Sequence, residues 1–251
     1  MLLIYPPIAK PCEPPAGIAK LCGALQAHGI PCRVLDANLE GLQYLMERQP
    51  PATDTWSRRA LKNVSRNLAS VKDPQAYRSF DRYARAVKDL NRAVEVSALS
   101  SGAVTGLADY RHARLSPLRS ADLLASAENP EQNPFFPYFS QRLPKAFGAS
   151  SDAASTAPHG HEVKMAGVSL NYLSQALTAF AMIGFIRKRY PGMKIVLGGG
   201  LVTSWLKRPG WSNPFAGFVD HLVAGPGEGA LLSLSHRGGG CRFGRRIHFV
   251  I

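Results

Sequence analysis

Directly after an apolar run, Ile195-Val196-Leu197, the chain carries three consecutive glycines, Gly198-Gly199-Gly200. Glycine inside a regular element costs roughly 0.5–1 kcal/mol relative to alanine, so a triplet here calls for a tight turn or a close approach of another group to the backbone. The residues before it narrow the choice. Met165 to Leu170 reads as another buried strand, and Leu173 to Tyr190 is a helix-length stretch, apolar almost all round and stopped by Pro191. Buried strand, buried helix, buried strand is the unit of a parallel sheet covered on both faces. Such sheets bind ligands outside the carboxyl ends of their strands, which is where the glycines fall.

The amino-terminal region extends the same pattern. Met1 to Tyr5 reads as a strand and "PPIAKPCEPPAG" as a proline-rich loop, followed by a helix from Gly17 to His28 with Ile18, Leu21, Cys22 and Leu25 on one face. Cys32 to Leu35 is a second strand closed by Asp36. A helix from Asn38 to Arg48 follows, with Asn38 as its cap and Leu39, Leu42, Leu45 and Met46 as its apolar side. Beyond the glycines come a short helix around Val202 to Leu206, a last strand from Phe218 to Val223, and the turn "AGPGEGALLSL". Five strands with helical crossovers predict an α/β fold, a flavodoxin-like doubly wound and mostly parallel sheet.

Between the second and third strands the pattern changes. Helical periodicity covers Trp56–Val71 and Tyr77–Leu99, a loose stretch "NPEQNPFFPYFSQRLPKAFGASSDAASTAPHGH" follows, and no strand is expected. The chain thus divides into a first half-domain (1–50), a mainly helical then irregular insertion (51–161) that is a candidate lid or docking surface, a second half-domain (162–235), and a tail (236–251). The tail, "HRGGGCRFGRRIHFVI", has no apolar periodicity and reads as a non-native or frame-shifted end.

With 251 residues and 45% hydrophobic content the chain can bury a real core. The formal charge of +13 points to nucleic acid until it is divided: 1–50 balance at four basic and four acidic, and 51–150 carry fifteen against nine, interleaved as on a solvated helix face. A nucleic-acid partner is therefore not expected. The longest apolar run, Ala176 to Ile186, is shorter than the ~20 residues of a membrane span. The start "MLLIYPPIAK" has no basic leader, so no membrane partner and a cytoplasmic location are expected. Cys12, Cys22, Cys32 and Cys241 form no C-x-x-C pair, so no metal site is expected in this chain; Cys22 reads as a small core residue.

The loops after the first, third, fourth and fifth strands share one edge of such a sheet: "PPIAKPCEPPAG", "SLNYLS", "GGGLVTS" and "GPGEGA". Their candidate binding residues are Ser169, Asn171 and Tyr172, with Gly198, Gly199, Gly200, Gly225 and Gly227 offering backbone N–H groups and close approach. The scattered histidines read as surface or satisfied residues, and no spacing supports a catalytic triad or carboxylate pair.

The ordered set "LLIYPP…PPAGIAKLCGALQAHGIPCRVLDAN", "AGVSLNYLSQALTAFAMIGFIRKRYPGMKIVLGGG" and "DHLVAGPGEGALLSL" resembles the amino-terminal cobalamin-binding domain of cobalamin-dependent radical S-adenosylmethionine (SAM) proteins, over about 1–50 and 163–234. The resemblance implies cobalamin as cofactor, with the corrin on the carboxyl edge of the sheet and the nucleotide tail among the loops after strands three to five. Pro6-Pro7 match the family's first loop, and Ser169, glycines 198–200 and Gly225-Pro226-Gly227-Glu228 match the later ones. Two features depart from it. No D-x-H-x-x-G follows the first strand, so cobalt would lack a protein histidine; "DANLEG" at Asp36–Gly41 has Asn38 in that place. The C-x-x-x-C-x-x-C of the radical SAM cluster is also absent, so an iron–sulfur cluster and SAM would belong to a separate catalytic domain or subunit, and the chain alone would be catalytically incompetent. Two alternatives remain: a degenerate, cofactor-free docking domain, and a dinucleotide site at "GPGEGA", which formally fits G-x-G-x-x-A but follows the last strand rather than opening a βαβ unit.

Overall fold

A computed structural model describes residues 1–148, 163–236 and 248–249. In chain order its elements begin with β1 (Leu2–Tyr5), α1 (Ala16–Ala27), β2 (Arg33–Asp36), α2 (Ala37–Glu47), α3 (Thr55–Lys62), α4 (Val64–Lys72) and α5 (Phe80–Ala98). There follow β3 (Ala103–Thr105), β4 (Tyr110–His112), α6 (Ser120–Glu128), α7 (Phe136–Phe147), β5 (Met165–Ser169) and α8 (Leu173–Arg189). The last are β6 (Lys194–Gly198), α9 (Gly200–Leu206), β7 (His221–Val223), α10 (Glu228–His236) and β8 (His248–Phe249).

Five parallel strands run in the order β2-β1-β5-β6-β7, flanked by helices, and the two-residue β8 pairs beside β7. This order is compatible with a flavodoxin-like sheet, whose strand order is 2-1-3-4-5. Alternation along the strands divides the core. Leu2, Ile4, Ala166, Val168, Ile195, Leu197 and Leu222 face one large cluster, while Leu3, Tyr5, Val196 and Val223 face a smaller one shared with α1 and α10.

The large cluster explains why α8 is apolar all round: every residue from Gln175 to Ile186 is buried. The sheet lies under one side of it and α6 and α7 pack on it from the other. Gly184 permits that contact, because a Cβ there would stand 1.9 Å from the Ala127 carbonyl oxygen of α6. Ser126 Oγ donates to Leu177 O at 2.8 Å across the same interface. Leu61, Val64, Leu90, Phe135, Phe139 and Leu143 join the same cluster, so the segment between β2 and β5 is built into the main core.

Several local expectations are corrected. The segment does contain strands, since β3 and β4 form an antiparallel hairpin. The stretch from Asn129 to Phe147, expected to be loose, holds a 3-10 turn at Pro130–Gln132 and α7, because its aromatics repeat at helical spacing and Phe135, Tyr138 and Phe139 are buried. The last strand begins at His221 rather than Phe218, whose N–H instead turns back to Phe215 O at 2.9 Å. Asp36, not Asn38, caps α2, accepting from Leu39 N at 2.9 Å. Asn38 is 2% exposed and pins the loop after β1, with its Oδ1 2.8 Å from Ala9 N and its Nδ2 3.0 Å from Ala9 O. Cys22 is only half-buried, packed against the smaller cluster. The irregular stretch 149–162 and all of the tail except His236 and β8 lie outside the described residues.

Two histidines make stability depend on acid. His112 Nδ1 accepts from the backbone N–H groups of Arg114 and Leu115 at 3.2 and 3.1 Å, which requires an unprotonated nitrogen. Burial, aided by Arg114, lowers its pKa below the ordinary 6.5; burial likewise lowers that of His221, whose Nδ1 is buried without a partner. An imidazole with a depressed folded pKa takes up protons in the unfolded chain first, so its contribution is complete above 6.5 and declines as pH falls through the folded value. Chemical denaturation at stepwise lower pH is expected to show this decline. A His112→Asn, His221→Phe double variant should be flatter across the window; an unchanged slope would exclude both histidines as its source.

Candidate functional site

The smaller face of the sheet is covered by α1 and α10, and between them a cleft of about 430 Å³ opens at the carboxyl edge. Its floor follows from register. Leu3 lies opposite Gly167, Gly167 opposite Val196, and Ser169 opposite Gly198, so β5 and β6 present glycine where a side chain would otherwise fill the face. Ile18 and Leu21 of α1 form one wall, and Leu231 of α10 belongs to the other. The floor and walls are apolar.

Polar groups gather at the mouth. Asn171 Oδ1 accepts from Gly200 N at 2.9 Å, and its Nδ2 donates to Ser169 Oγ at 3.1 Å. Gln175 Oε1 accepts from the backbone N–H groups of Asn171 and Tyr172 at 3.0 and 3.1 Å, while its Nε2 donates to Pro6 O at 2.7 Å. Thr203 Oγ1 donates to Gly199 O at 2.8 Å and accepts from Gly225 N at 3.0 Å. The loops after β1, β5, β6 and β7 are thereby braced to one another. The N–H groups of Gly200 and Gly225, expected to face a ligand, are spent on this bracing.

Lys20 Nζ of α1 meets Glu228 Oε1 of α10 at 2.8 Å across the rim, and these are the titratable side chains of the lining. Their hydrogen bond, reinforced by charge, holds the Glu228 carboxyl below its usual range and raises the Lys20 ammonium. Glu228 thus has a partner in the fold as well as its place in the first turn of α10.

Of the residues picked out from the sequence, Ser169, Asn171, Gly198, Gly199, Gly200, Gly225, Pro226, Gly227 and Glu228 line this one cleft. Pro6, Pro7 and Tyr172 do not: the prolines are buried and offer their carbonyls to Gln175 and Thr178, and Tyr172 is exposed at the start of α8. No described residue of 51–148 lines it. Gly17, Ile18, Lys20, Leu21, Thr203 and Leu231 were missed. Ile18 and Leu21 are the apolar face of α1, a pattern identical to that of an ordinary core helix, and the partner of Lys20 lies more than two hundred residues away.

The glycines differ in what they allow. A Cβ on Gly199, whose φ is +108°, would stand 2.4 Å from Leu170 O and 2.9 Å from Asn171 Oδ1, so this glycine is demanded by the protein's own backbone. Gly198 and Gly200 have room, their nearest neighbours lying at 3.4 and 3.8 Å.

Among the described residues no three His, Cys, Asp or Glu side chains are grouped so as to hold a metal ion, and no helix is long and apolar enough to cross a membrane. Comparison with protein-family models, curated proteins and solved structures finds no match for this chain.

Proposed function

We propose that the chain is a cobalamin-binding module, holding the corrin at the carboxyl edge of its sheet for a methyl-transfer or radical reaction completed by a separate iron–sulfur and SAM domain or subunit. The observation that carries this reading is the convergence of the loops after β5, β6 and β7 on one apolar cleft that runs from the sheet edge down between α1 and α10. The residues present suit such a group. Gly198 and Gly200 keep the mouth open although their own surroundings would accept a Cβ, and Ser169 places a hydroxyl at the entrance. When bound, cobalamin would supply the methyl-carrying or one-electron chemistry. The chain's own residues bind and orient: the braced loops hold the mouth rigid, the apolar floor excludes water, and the Lys20–Glu228 pair spans the rim. Within this reading residues 51–148 are an insertion between the second and third sheet strands.

Purified protein mixed with hydroxocobalamin and freed of excess ligand by gel filtration is expected to keep the corrin absorption. A colourless protein would instead leave the cofactor-free docking domain. A second expectation concerns the cobalt. None of the cleft-lining residues is a histidine; His28 follows the carboxyl end of α1, at the opposite edge of the sheet, and His221 opens β7 rather than closing it. Labelling the protein with heavy nitrogen should therefore leave the electron paramagnetic resonance spectrum of bound cob(II)alamin unchanged, and an altered superhyperfine pattern would reveal a protein imidazole on cobalt.

A further inference from the structure

A second concavity, about 770 Å³, lies between α4 and α5, away from the cleft and sharing no residue with it. Arg66 of α4 and Arg82 and Arg85 of α5 line it, and none of the three takes part in the ion pairs among the described residues. On its wall Asn67 is 6% exposed, and its Nδ2 is buried without a hydrogen-bond partner; Ser70 Oγ is buried and unpartnered beside it. Leaving such a group unpaired costs roughly 1–3 kcal/mol, and both atoms are sealed from solvent behind the groove surface. Ser79, the residue before α5, also lines the groove and makes no side-chain cap, which leaves the amino end of a 19-residue helix uncapped there.

Three carboxylates share the groove, and two of them are already engaged. Asp89 accepts from Trp56 Nε1 at 2.9 Å and Arg59 at 3.1 Å, and Asp73 accepts from Gln75 N at 2.9 Å. Asp81, in the first turn of α5, is the third. Beside the Asp81 carboxylate, the groove's groups with unspent capacity are the three guanidinium forks of Arg66, Arg82 and Arg85. Guanidinium forks match tetrahedral oxyanions bidentately.

We propose that this groove binds a phosphate-class oxyanion, gripped by Arg66, Arg82 and Arg85. The site is independent of cobalamin. Inorganic pyrophosphate titrated calorimetrically into the full chain is expected to bind saturably, with a dissociation constant of about 1 mM or tighter. Arg82→Gln with Arg85→Gln should weaken it about tenfold or more, each lost charge-assisted bond counting for more than a neutral one. Lys207→Gln with Arg208→Gln, exposed cations elsewhere on the surface, removes the same charge and should leave affinity unchanged. Absence of saturable binding, or equal loss in the two double variants, would overturn the site, the latter by reducing it to non-specific attraction of anions.

Discussion

If the cleft holds cobalamin, Gly198→Val is expected to give a folded protein that does not retain it. The Cβ of residue 198 meets nothing closer than Val223 O at 3.4 Å, so the strand accommodates it, but the added methyl groups enter the cleft mouth. Valine also favours a strand, so the melting temperature should stay near that of the parent protein. A loss in affinity of about two orders of magnitude, roughly 3 kcal/mol, is expected from a side chain occupying ligand volume. Gly199→Val is the contrasting variant. Its backbone stands at φ +108° and ψ 179°, a region almost confined to glycine, and its Cβ would overlap Leu170 O at 2.4 Å. Strain and overlap together should cost roughly 4 kcal/mol or more in stability, so loss of corrin there reports on folding rather than on the site. Corrin retained by a folded Gly198→Val protein would remove the cleft from the cobalamin reading.

Gly184→Val should be at least as damaging to the fold. The new Cβ would lie 1.9 Å from Ala127 O and 2.6 Å from Ala127 C, both backbone atoms of α6 that no rotamer change can move. Helices α6 and α8 would have to part, opening the Ser126–Leu177 hydrogen bond and the Lys188 Nζ contact to Glu128 O at 2.6 Å. Overpacking of this kind costs roughly 3 kcal/mol or more when the opposing group is rigid. Urea unfolding reads the change directly, and a variant with an unchanged midpoint would mean that α6 is not fastened to α8.

The two glycine predictions show where sequence reading reaches its limit. Three glycines after an apolar strand were enough to mark the edge at which the cleft opens, because strand direction in a parallel sheet determines which loops share an edge. They were not enough to separate Gly199, held by Leu170 O, from Gly198 and Gly200, which have free space. All three sit in identical composition, and the difference lies in atoms nearly thirty residues away. The same limit explains Asn38. A cap and a loop anchor look alike in a sequence, and only the position of Ala9 shows that the amide is used for the loop while Asp36 caps the helix.

What the sequence by itself determined is the part set by short-range periodicity: the βαβ order, the buried helix Leu173–Arg189, the five strands of the sheet within a few residues, and the loops that meet at its carboxyl edge. What the tertiary structure alone decided is everything set by distances between remote segments. The hairpin β3–β4 was hidden because three-residue strands carry too few side chains to establish a period. The walls of the cleft were hidden because Ile18 and Leu21 bury one helix face whether or not a cavity lies beneath it. The Lys20–Glu228 bridge over the rim arises only once helices far apart in the chain are packed side by side, and the orphaned Asn67 amide depends on how α4 lies against α5, since a contact energy depends on the separation of atoms and not on their order along the chain.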